Sequence, residues 1–391
     1  MTSWLIDGVR SPFGRFGGGL RDVPLVDLGA QLLTGLLDRH PTAPRDADEL
    51  VLGIAMLEGG LMVPARQIAV AAGLREDLPS MTVDRACCSG MTATGLALRG
   101  LSAGGSSALV LGLDVMSRTP RLLHETRWGS RRGDLVVEDL LLLRSPLSGT
   151  PIATYAGIEA LERGVTREMQ DRWALGSHSR YFAALEDGYF DGEVMPVQTP
   201  SGVLAADEQP RRGGTLEQLA ALRCVYDSPT VTAGNAPGLN DGACALLVGD
   251  DRAVERYGAR PLARIHAYHQ TAAGATSAVW LPGQAITTVA EEAGLSVADL
   301  DVIEINEAFA ATALTSVRAA AGGDAGLEAE LQHRTNAHGG AVAIGHPTGA
   351  SGARILLTAA RRLQQSGGRW AAAAVCGGFG QTDAVLLEAV S

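Results

Sequence analysis

The sequence predicts an α/β protein that consists of two similar halves and an inserted segment. In the first half, apolar segments with the length of strands alternate with segments of helical spacing, a pattern typical of a parallel sheet covered by helices. In the second half, residues 345–378 repeat the order found at residues 88–114: a reactive residue, small residues, a helix, a glycine turn and an apolar strand. Duplication explains this similarity, and chance resemblance between two βα units is the alternative.

Each element is predicted from its local pattern. Helices are predicted where apolar residues recur every three or four positions, with Pro64 opening one helix and glycines ending the helix after Cys87. Strands are predicted for short apolar runs bounded by turn residues. In chain order the predicted elements are strand 3–10, helix 23–39, strand 48–56, helix 64–74, strand 81–88, helix 89–104, strand 106–117, helix 165–188, strand 241–250, strand 298–310, and a helix and a strand within 345–378.

The segment 118–240 differs in character from its flanks because it carries much of the charge and a passage rich in proline and glycine. We expect a lid or substrate-binding domain here; a solvated structural insertion is the alternative. The predicted domains are an N-terminal half of residues 1–117 plus 241–262, the inserted domain of residues 118–240, and a C-terminal half of residues 263–391.

Composition excludes several classes of function. The chain has 391 residues, of which 46% are hydrophobic and 19% are charged, so it is long enough for two or three compact units. Its net charge of -11 argues against a nucleic-acid partner. All 32 basic residues are arginine, which excludes Schiff-base catalysis and a P-loop lysine. A substrate phosphate would therefore need arginine, backbone N–H groups or a helix N-terminus.

The chain shows no apolar signal segment and no apolar run long enough to span a bilayer, so we expect a cytoplasmic enzyme without a membrane partner. Its five cysteines lack CxxC spacing, which disfavours a disulfide framework and a metal site. Cys224 and Cys244 are predicted to be small buried apolar residues.

Two residues that precede predicted helices are candidates for acyl transfer. Cys87 lies at a strand-to-helix turn, where the helix dipole and backbone N–H groups favour a thiolate that can attack a thioester carbonyl. His346, in the sequence GHP before another helix, is a candidate acceptor for the thiol proton. An inert core cysteine and a structural histidine are the alternatives.

Two further segments complete the predicted site. Asn306 follows an apolar strand in NEAFA, and its amide could position a water or donate to an oxyanion. Cys376 ends the last buried strand, close to Gly378, whose N–H could approach a substrate because there is no Cβ. A second cysteine is unneeded for simple acyl transfer but suits proton removal from a carbon beside a carbonyl.

These segments together resemble the thiolase family, the acyl-CoA acetyltransferases. The similarity covers essentially the whole chain, and its segments are RSPFGRFGGGLRDVPLVDLGA, PARQ, VDRACCSGM, SHSRYFAALEDGYFDGEVMPV, TAGNAPGLNDGA, NEAFA and GGAVAIGHPTGASGAR. NEAFA and GHPTGASGAR in this order are highly specific for the family.

The resemblance implies a duplicated five-layered αβαβα core with an inserted loop domain, and a ping-pong Claisen condensation or its reverse. Cys87 would be acylated after activation by His346, and Cys376 would be the acid and base at the α-carbon. The N–H groups of Cys87 and Gly378 would bind one oxyanion, and His346 together with Asn306, acting through a water, would bind the other.

The resemblance also implies coenzyme A as substrate and product, no tightly bound cofactor, and a homodimer or homotetramer. It assigns contacts with substrate or coenzyme A to Arg211, Ala233, Gly238, Ala308 and Phe309.

Several positions depart from the family pattern around the substrate, and they are Pro151, Ile152, Pro237, His338, Phe379 and Thr382. About eight extra residues are expected in a loop within 319–334. These departures predict a non-standard acyl group, carried by coenzyme A or by a carrier protein. His338 would either shape the pocket or be a neutral replacement.

Three alternatives stay open from the sequence. A decarboxylating ketoacyl synthase shares the fold and the cysteine nucleophile but has no second cysteine. A cysteine hydrolase could use Cys87, His346 and Asn306, yet would leave Cys376 unexplained. A non-catalytic acyl-binding, lipid-binding or scaffold protein would not need all four segments.

Overall fold

The strands come from the short apolar runs of the sequence, and the computed structural model describes residues 2–40, 46–128, 132–277 and 279–390. The described strands are β1 (Ser3–Arg10), β2 (Gly14–Arg15), β3 (Glu49–Gly53), β4 (Ser80–Val83), β5 (Ser107–Val115), β6 (Arg121–Leu123), β7 (Val137–Asp139), β8 (Val197–Thr199), β9 (Gly202–Leu204), β10 (Asn240–Gly249), β11 (Ala263–Ala272), β12 (Val302–Ile305), β13 (Trp370–Gly377) and β14 (Gln381–Glu388).

The helices carry the segments of period 3.6. Those described are α1 (Leu25–Leu37), α2 (Pro64–Ala71), α3 (Ser89–Ser102), α4 (Ile152–Glu162), α5 (Arg167–Glu186), α6 (Leu216–Ala220), α7 (Asp251–Tyr257), α8 (Leu281–Glu292), α9 (Ala310–Ala320), α10 (Ala325–Arg334), α11 (Ala341–Ile344) and α12 (Thr348–Ser366), with short 3-10 turns at Met116–Arg118, Tyr189–Gly192 and Val297–Asp299.

The two halves form one continuous sheet with the strand order β4-β3-β5-β10-β1-β11-β14-β13-β12, and β2 pairs with β10. The halves join where β1 pairs with β11 over three residues, from Ser3 opposite Ile265 to Leu5 opposite Ala263. Strands β4, β3 and β5 are parallel, as are β12 and β13. The parallel pairing predicted from the first half is found for β3, β4 and β5, but the sheet as a whole is mixed, because β10 returns antiparallel to β5 and the short β13–β14 turn requires antiparallel pairing.

The two halves of the sheet, the helices between them and the helices outside them form five layers. Helix α12 packs against α3 and against strands of both halves, so these two helices form the central layer. Helices α1 and α2 cover the outer face of the first half, and α8 and α9 cover that of the second. Three apolar clusters fill the spaces between layers. The duplicated αβαβα core is therefore confirmed.

The second half repeats the first element by element. The parallel pair β12–β13 corresponds to β3–β5, and α12 corresponds to α3. An isolated parallel bridge between Ile303 and Thr335 takes the place that β4 has beside β3. The repeat places Cys87 and His346 just before two neighbouring central helices.

Some predicted elements need correction. The predicted strand 81–88 ends at Val83 in the structure, so Cys87 follows in a turn. The predicted strand 298–310 is confined to β12, because a capping box at Ser296 opens a 3-10 turn before it and α9 begins after it. The extra residues expected as a loop within 319–334 instead form helix α10, whose Asp324 side chain accepts the Leu327 N–H.

The described part of the segment between the halves, residues 118–128 and 132–240, contains two hairpins, three α-helices and the 3-10 turn at Tyr189–Gly192. Hairpins β6–β7 and β8–β9 flank α4 and α5, and Thr166 caps α5 by accepting the Met169 N–H. Helix α5 packs on α11 and α9 of the second half. Among the described helices, none has both the length and the apolar character needed to cross a membrane.

Candidate active site

Cys87 lies in a tight turn between β4 and α3. Ala86 has φ 49°, a left-handed conformation that is uncommon for a residue with a side chain. The Asp84 carboxylate accepts the Ala86 N–H at 2.9 Å, and Ser89 Oγ accepts the Arg85 N–H at 2.8 Å. These bonds hold the turn rigidly, so the Cys87 sulfur has a defined position at the start of the helix.

The position of His346 is fixed by close contact between the Gly345 backbone and the Asn240 side chain. Gly345 has φ 115°, and a Cβ added there would lie 2.7 Å from Asn240. Asn240 Oδ1 accepts the His346 backbone N–H at 2.9 Å. The imidazole is buried, and its Nε2 lies 3.3 Å from Cys87 Sγ. The two candidate residues, 259 positions apart, are thus in hydrogen-bond contact.

Ser351 fixes the imidazole tautomer. Its hydroxyl donates to the Pro347 carbonyl at 2.9 Å, and its oxygen lies 2.6 Å from His346 Nδ1. Because the single hydroxyl proton is used on Pro347, the Ser351 oxygen accepts from Nδ1–H. The Nε2 lone pair then faces the thiol, which is the arrangement that a general base requires.

Burial sets the protonation states of the pair. It lowers the pKa of His346 to about 3, with a smaller contribution from the Arg354 charge, and it raises the pKa of Cys87 well above its ordinary value. The expected thiolate at the helix N-terminus is therefore outweighed by desolvation. The resting pair is a neutral thiol and a neutral imidazole, so proton transfer accompanies nucleophilic attack.

We expect His346 to remain neutral from pH 8 down to pH 5, because burial holds its pKa at about 3. Its side-chain resonance in histidine-labelled protein, assigned by its loss in His346→Asn, should show no titration over this interval. Since the unfolded histidine binds a proton near pH 6.5 and the folded one does not, this residue also lowers folding stability as the pH falls from 6.5 toward 3. A midpoint between pH 5 and 8 would contradict the buried neutral imidazole.

Asn306 lies beside the same ring nitrogen. Its Nδ2 is 3.4 Å from His346 Nε2, and its backbone N–H donates to the Ala374 carbonyl of β13 at 3.0 Å. Its buried Oδ1 has no hydrogen-bond partner among the described residues. The Nδ2–H group can donate toward a carbonyl oxygen that enters between it and the imidazole, and Oδ1 is placed to accept.

The turn after β13 meets the Cys87 turn directly. A Cβ added at Gly377 would lie 2.9 Å from Cys88 Sγ, and one added at Gly378 would lie 3.8 Å from the Ala86 Cβ. Burial raises the pKa of Cys376 to about 12, so its sulfur carries a proton at neutral pH. The second cysteine is thus a thiol held against the turn of the first.

An ion pair between Arg85 and Asp383 links the turn at Cys87 to the turn between β13 and β14. Arg85 donates through Nη1 to Asp383 on β14 and through Nε to the Gln381 amide oxygen at 2.9 Å. The Asp383 carboxylate also accepts from the hydroxyls of Thr92 at 2.6 Å and Tyr268 at 2.9 Å. Asp383 is fully buried, and these donors satisfy its charge. The network holds the Cys87 turn in register with the β13–β14 turn.

Two cavities open at Cys87. The smaller one, which we call the acyl cavity, is lined by Cys87, Ser145, Ile152, Tyr155, Ala275, Thr276, Val279, Ala308, Phe309, Thr312, Cys376, Gly377, Gly378 and Phe379. The larger one, the long cleft, encloses about 280 Å³ and includes His346, Ala233, Pro237 and Gly238 in its wall. Ala308 and Phe309 line both.

The structure brings together nine of the ten predicted site residues and separates one. Arg211 lines neither the acyl cavity nor the long cleft; it is exposed, and its backbone N–H donates to His178 Nδ1 at 3.3 Å. The neighbouring Arg212 pairs with Glu186 at 3.0 Å and lies over the Phe182 ring. A contact of Arg211 with coenzyme A stays a prediction.

The structure also places the two remaining cysteines, His338 and Phe379. Cys244 is buried on β10 as predicted, but Cys224 is exposed, because it lies in a surface loop with its sulfur 3.7 Å from Arg167 Nη1. His338 lines neither cavity and packs on the Tyr189 ring at a centroid distance of 4.0 Å. Phe379, in contrast, lines the acyl cavity with φ 63°.

Several residues that build the site were not predicted. Ser351 and Asn240 position His346, as described above, and residues 141–143 of the inserted segment line the long cleft. Glu307 is fully buried and accepts from Trp173 Nε1 at 2.8 Å, which ties α5 to the second half. The spacing of Ser351, five residues after His346 in a helix start, is the one sequence signal that could have indicated its role.

Comparison with known proteins identifies the family. The family model described as "Thiolase, N-terminal domain" matches residues 3–251, and "Thiolase, C-terminal domain" matches residues 259–389. The chain belongs to the thiolase family. It is a thiolase-type acyltransferase, as the sequence resemblance predicted.

Relatives match this thiolase over nearly its full length. An acetyl-CoA acetyltransferase of Escherichia coli is 38% identical and is covered to 98%, as is this chain. A beta-ketoadipyl-CoA thiolase of Acinetobacter baylyi is 36% identical, with 99% of each chain covered. The structure of human mitochondrial 3-ketoacyl-CoA thiolase in complex with CoA superposes with a TM-score of 0.92 at 31% identity, covering 100% of this chain and 98% of that one.

Proposed function

We propose that this thiolase cleaves and forms 3-ketoacyl thioesters of coenzyme A through an acyl group on Cys87. The observation that carries the proposal is the 3.3 Å contact between Cys87 Sγ and His346 Nε2, with Cys376 in the wall of the same cavity. The relatives named acetyl-CoA acetyltransferase and 3-ketoacyl-CoA thiolase support coenzyme A as the carrier of the acyl group.

The first half-reaction in the cleavage direction starts from the resting protonation states. His346 Nε2 takes the Cys87 proton while Sγ attacks the 3-keto carbonyl, and N–H groups at Cys87 and Gly378 receive the oxyanion. The bond between the α- and β-carbons breaks, and its electron pair goes to the α-carbon. Cys376 then donates its proton to that carbon, while Asn306 stabilises the enolate oxygen. The products are acyl-Cys87 and a shortened thioester.

The second half-reaction returns Cys376 and Cys87 to their protonated thiol forms. The Cys376 thiolate takes the proton of an incoming coenzyme A thiol, whose sulfur attacks the acyl-Cys87 carbonyl. Cys87 leaves as a thiolate and recovers its proton from the His346 imidazolium, so every proton is returned. Condensation is the same sequence in reverse, as microscopic reversibility requires.

The inserted segment is proposed to bind substrate. Residues 141–143 and Tyr226 line the long cleft, and Tyr155 lines the acyl cavity, so residues 118–240 contribute to both walls. The long cleft, which encloses about 280 Å³ and reaches Cys87, is the proposed site of the pantetheine arm. We also propose a homodimer or homotetramer, and either coenzyme A or a carrier protein as the source of the thioester.

Thiolysis of 3-ketoacyl-CoA provides the test. Wild-type protein supplied with coenzyme A should release two shortened acyl-CoA products, identified by mass. Cys87→Ala should lose this turnover, whereas Cys224→Ala should keep it because Cys224 is exposed and lines neither cavity. Undiminished turnover in Cys87→Ala would overturn the assigned nucleophile.

A further inference from the structure

The acyl cavity is bounded by neutral side chains. Its described wall consists of apolar and hydroxyl-bearing residues with the two site cysteines, and no Asp, Glu, Arg or His is among them. Ile152 and Tyr155 come from α4, Phe309 and Thr312 from the start of α9, and Phe379 from the β13–β14 turn. An acyl group on Cys87 that extends into this cavity therefore meets neutral surface.

The charged side chains just outside the wall contact other protein groups and leave the cavity surface neutral. Glu159 on α4 accepts the N–H of the wall residue Val279 at 2.9 Å, and its negative charge contributes to the raised pKa of Cys376. On the other side, the Arg85 guanidinium is directed to Asp383 and Gln381. Glu159 also lies 4.0 Å from the Arg163 guanidinium, so its charge is partly balanced. A carboxylate at the end of the acyl chain would lose its hydration in the cavity, and none of the described wall residues carries a positive charge to pair with it.

Phe379 narrows the same cavity from an unusual backbone conformation. Its φ is 63°, in the left-handed region, and it lies between Gly378 and Gly380 with 41% of its surface exposed. A phenyl ring in that conformation is disfavoured compared with glycine. Since Phe379 lines the cavity next to Gly378, we expect the loss of its ring to enlarge the space open to an acyl chain.

We propose that this thiolase selects an acyl group that is uncharged at its far end, and that the Phe379 ring limits the length of that group. The proposal rests on the proposed acylation of Cys87 and adds the substrate class. A ketoadipyl thioester, whose acyl part carries a free carboxylate, would then be a poor substrate, although a relative named beta-ketoadipyl-CoA thiolase is 36% identical.

The charge selection is tested with two thioesters of closely matched shape. Succinyl-CoA and the CoA thioester of succinamic acid have the same number of heavy atoms and differ by a carboxylate and its neutral amide. The rate of Cys87 acylation, followed by intact mass after rapid quenching, should be at least about 100-fold higher for the amide, because only the carboxylate is a charge that must be buried unpaired. Equal rates would overturn the charge selection. Absence of any Cys87 adduct, even with acetyl-CoA, would instead overturn the proposed function on which it rests.

The length limit is tested with Phe379→Gly, which suits φ 63° and is expected to fold. Across straight-chain acyl-CoAs of two to ten carbons, the optimum of Cys87 acylation should move to longer chains by at least two carbons, and Phe379→Leu should give a smaller shift. Phe16→Gly is the control, since Phe16 is exposed and lines neither the acyl cavity nor the long cleft. An unchanged chain-length profile in both Phe379 variants would overturn the limit.

Discussion

Cys376→Ala should lose carbon–carbon bond cleavage while Cys87 remains open to acylation by a simple acyl-CoA. Cleavage needs the Cys376 proton at the α-carbon, and removing a general acid lowers a rate by about 10²–10⁴-fold. Acylation by acetyl-CoA depends less on Cys376, because coenzyme A can leave as a thiolate and the attack relies on the Cys87–His346 contact. Thiolysis of 3-ketoacyl-CoA and the mass shift from acetyl-CoA measure the two steps separately.

Cys224→Ala is the matched control for this variant, because it removes an exposed cysteine that lines neither cavity. It should retain both activities. Equal loss of cleavage and of acylation in Cys376→Ala, with an unchanged melting temperature, would argue against the α-carbon as the position that depends most on the Cys376 proton.

His346→Ala should slow the acylation of Cys87 itself by about 10²–10⁴-fold, because the buried thiol then has no base to receive its proton. The measurement is the quenched-flow rate of adduct formation with acetyl-CoA. Ser351→Ala should give a smaller loss, since Ser351 only fixes the tautomer through Nδ1.

His338→Ala provides a control on a second partly buried histidine, which packs on Tyr189 and lines neither cavity. Its acylation rate should stay within about twofold of wild type once folding is verified by thermal unfolding. An acylation rate for His346→Ala equal to that of His338→Ala would contradict the base role.

Much of the fold could be predicted because its signals are local. The apolar runs of β5 and β10 and the helical spacing of α12 are read from neighbouring residues, and the repeat between the halves gives their arrangement. The site segments are also local: Cys87 and His346 each precede a helix, and the duplicated plan places those helices side by side. Their meeting therefore follows from the fold.

What could not be predicted depends on partners distant in the chain. Arg85 and Asp383 are 298 positions apart, and neither shows its partner in its own neighbourhood. The pKa of His346 is lowered by burial, which is a property of the packed structure. Burial also overrides the thiolate expected from the helix N-terminus at Cys87, because a local dipole is weaker than complete desolvation.

The walls of the acyl cavity could not be predicted for the same reason. They combine the α4 residues Ile152 and Tyr155, the α9 start and the turn at Phe379, which lie in three separate parts of the chain. The sequence marks Phe379 as unusual, but only the structure shows that Phe379 lines the same cavity as Cys87 and Cys376.

The most direct test of the account is to locate the acyl group by peptide mass mapping after a rapid acid quench with isotopically labelled acetyl-CoA. We expect one acetyl group, carried as a thioester on Cys87, in both the wild-type protein and Cys376→Ala. An acetyl group found on Cys376 or Cys224, or a Cys87 peptide that stays unmodified while turnover proceeds, would contradict it.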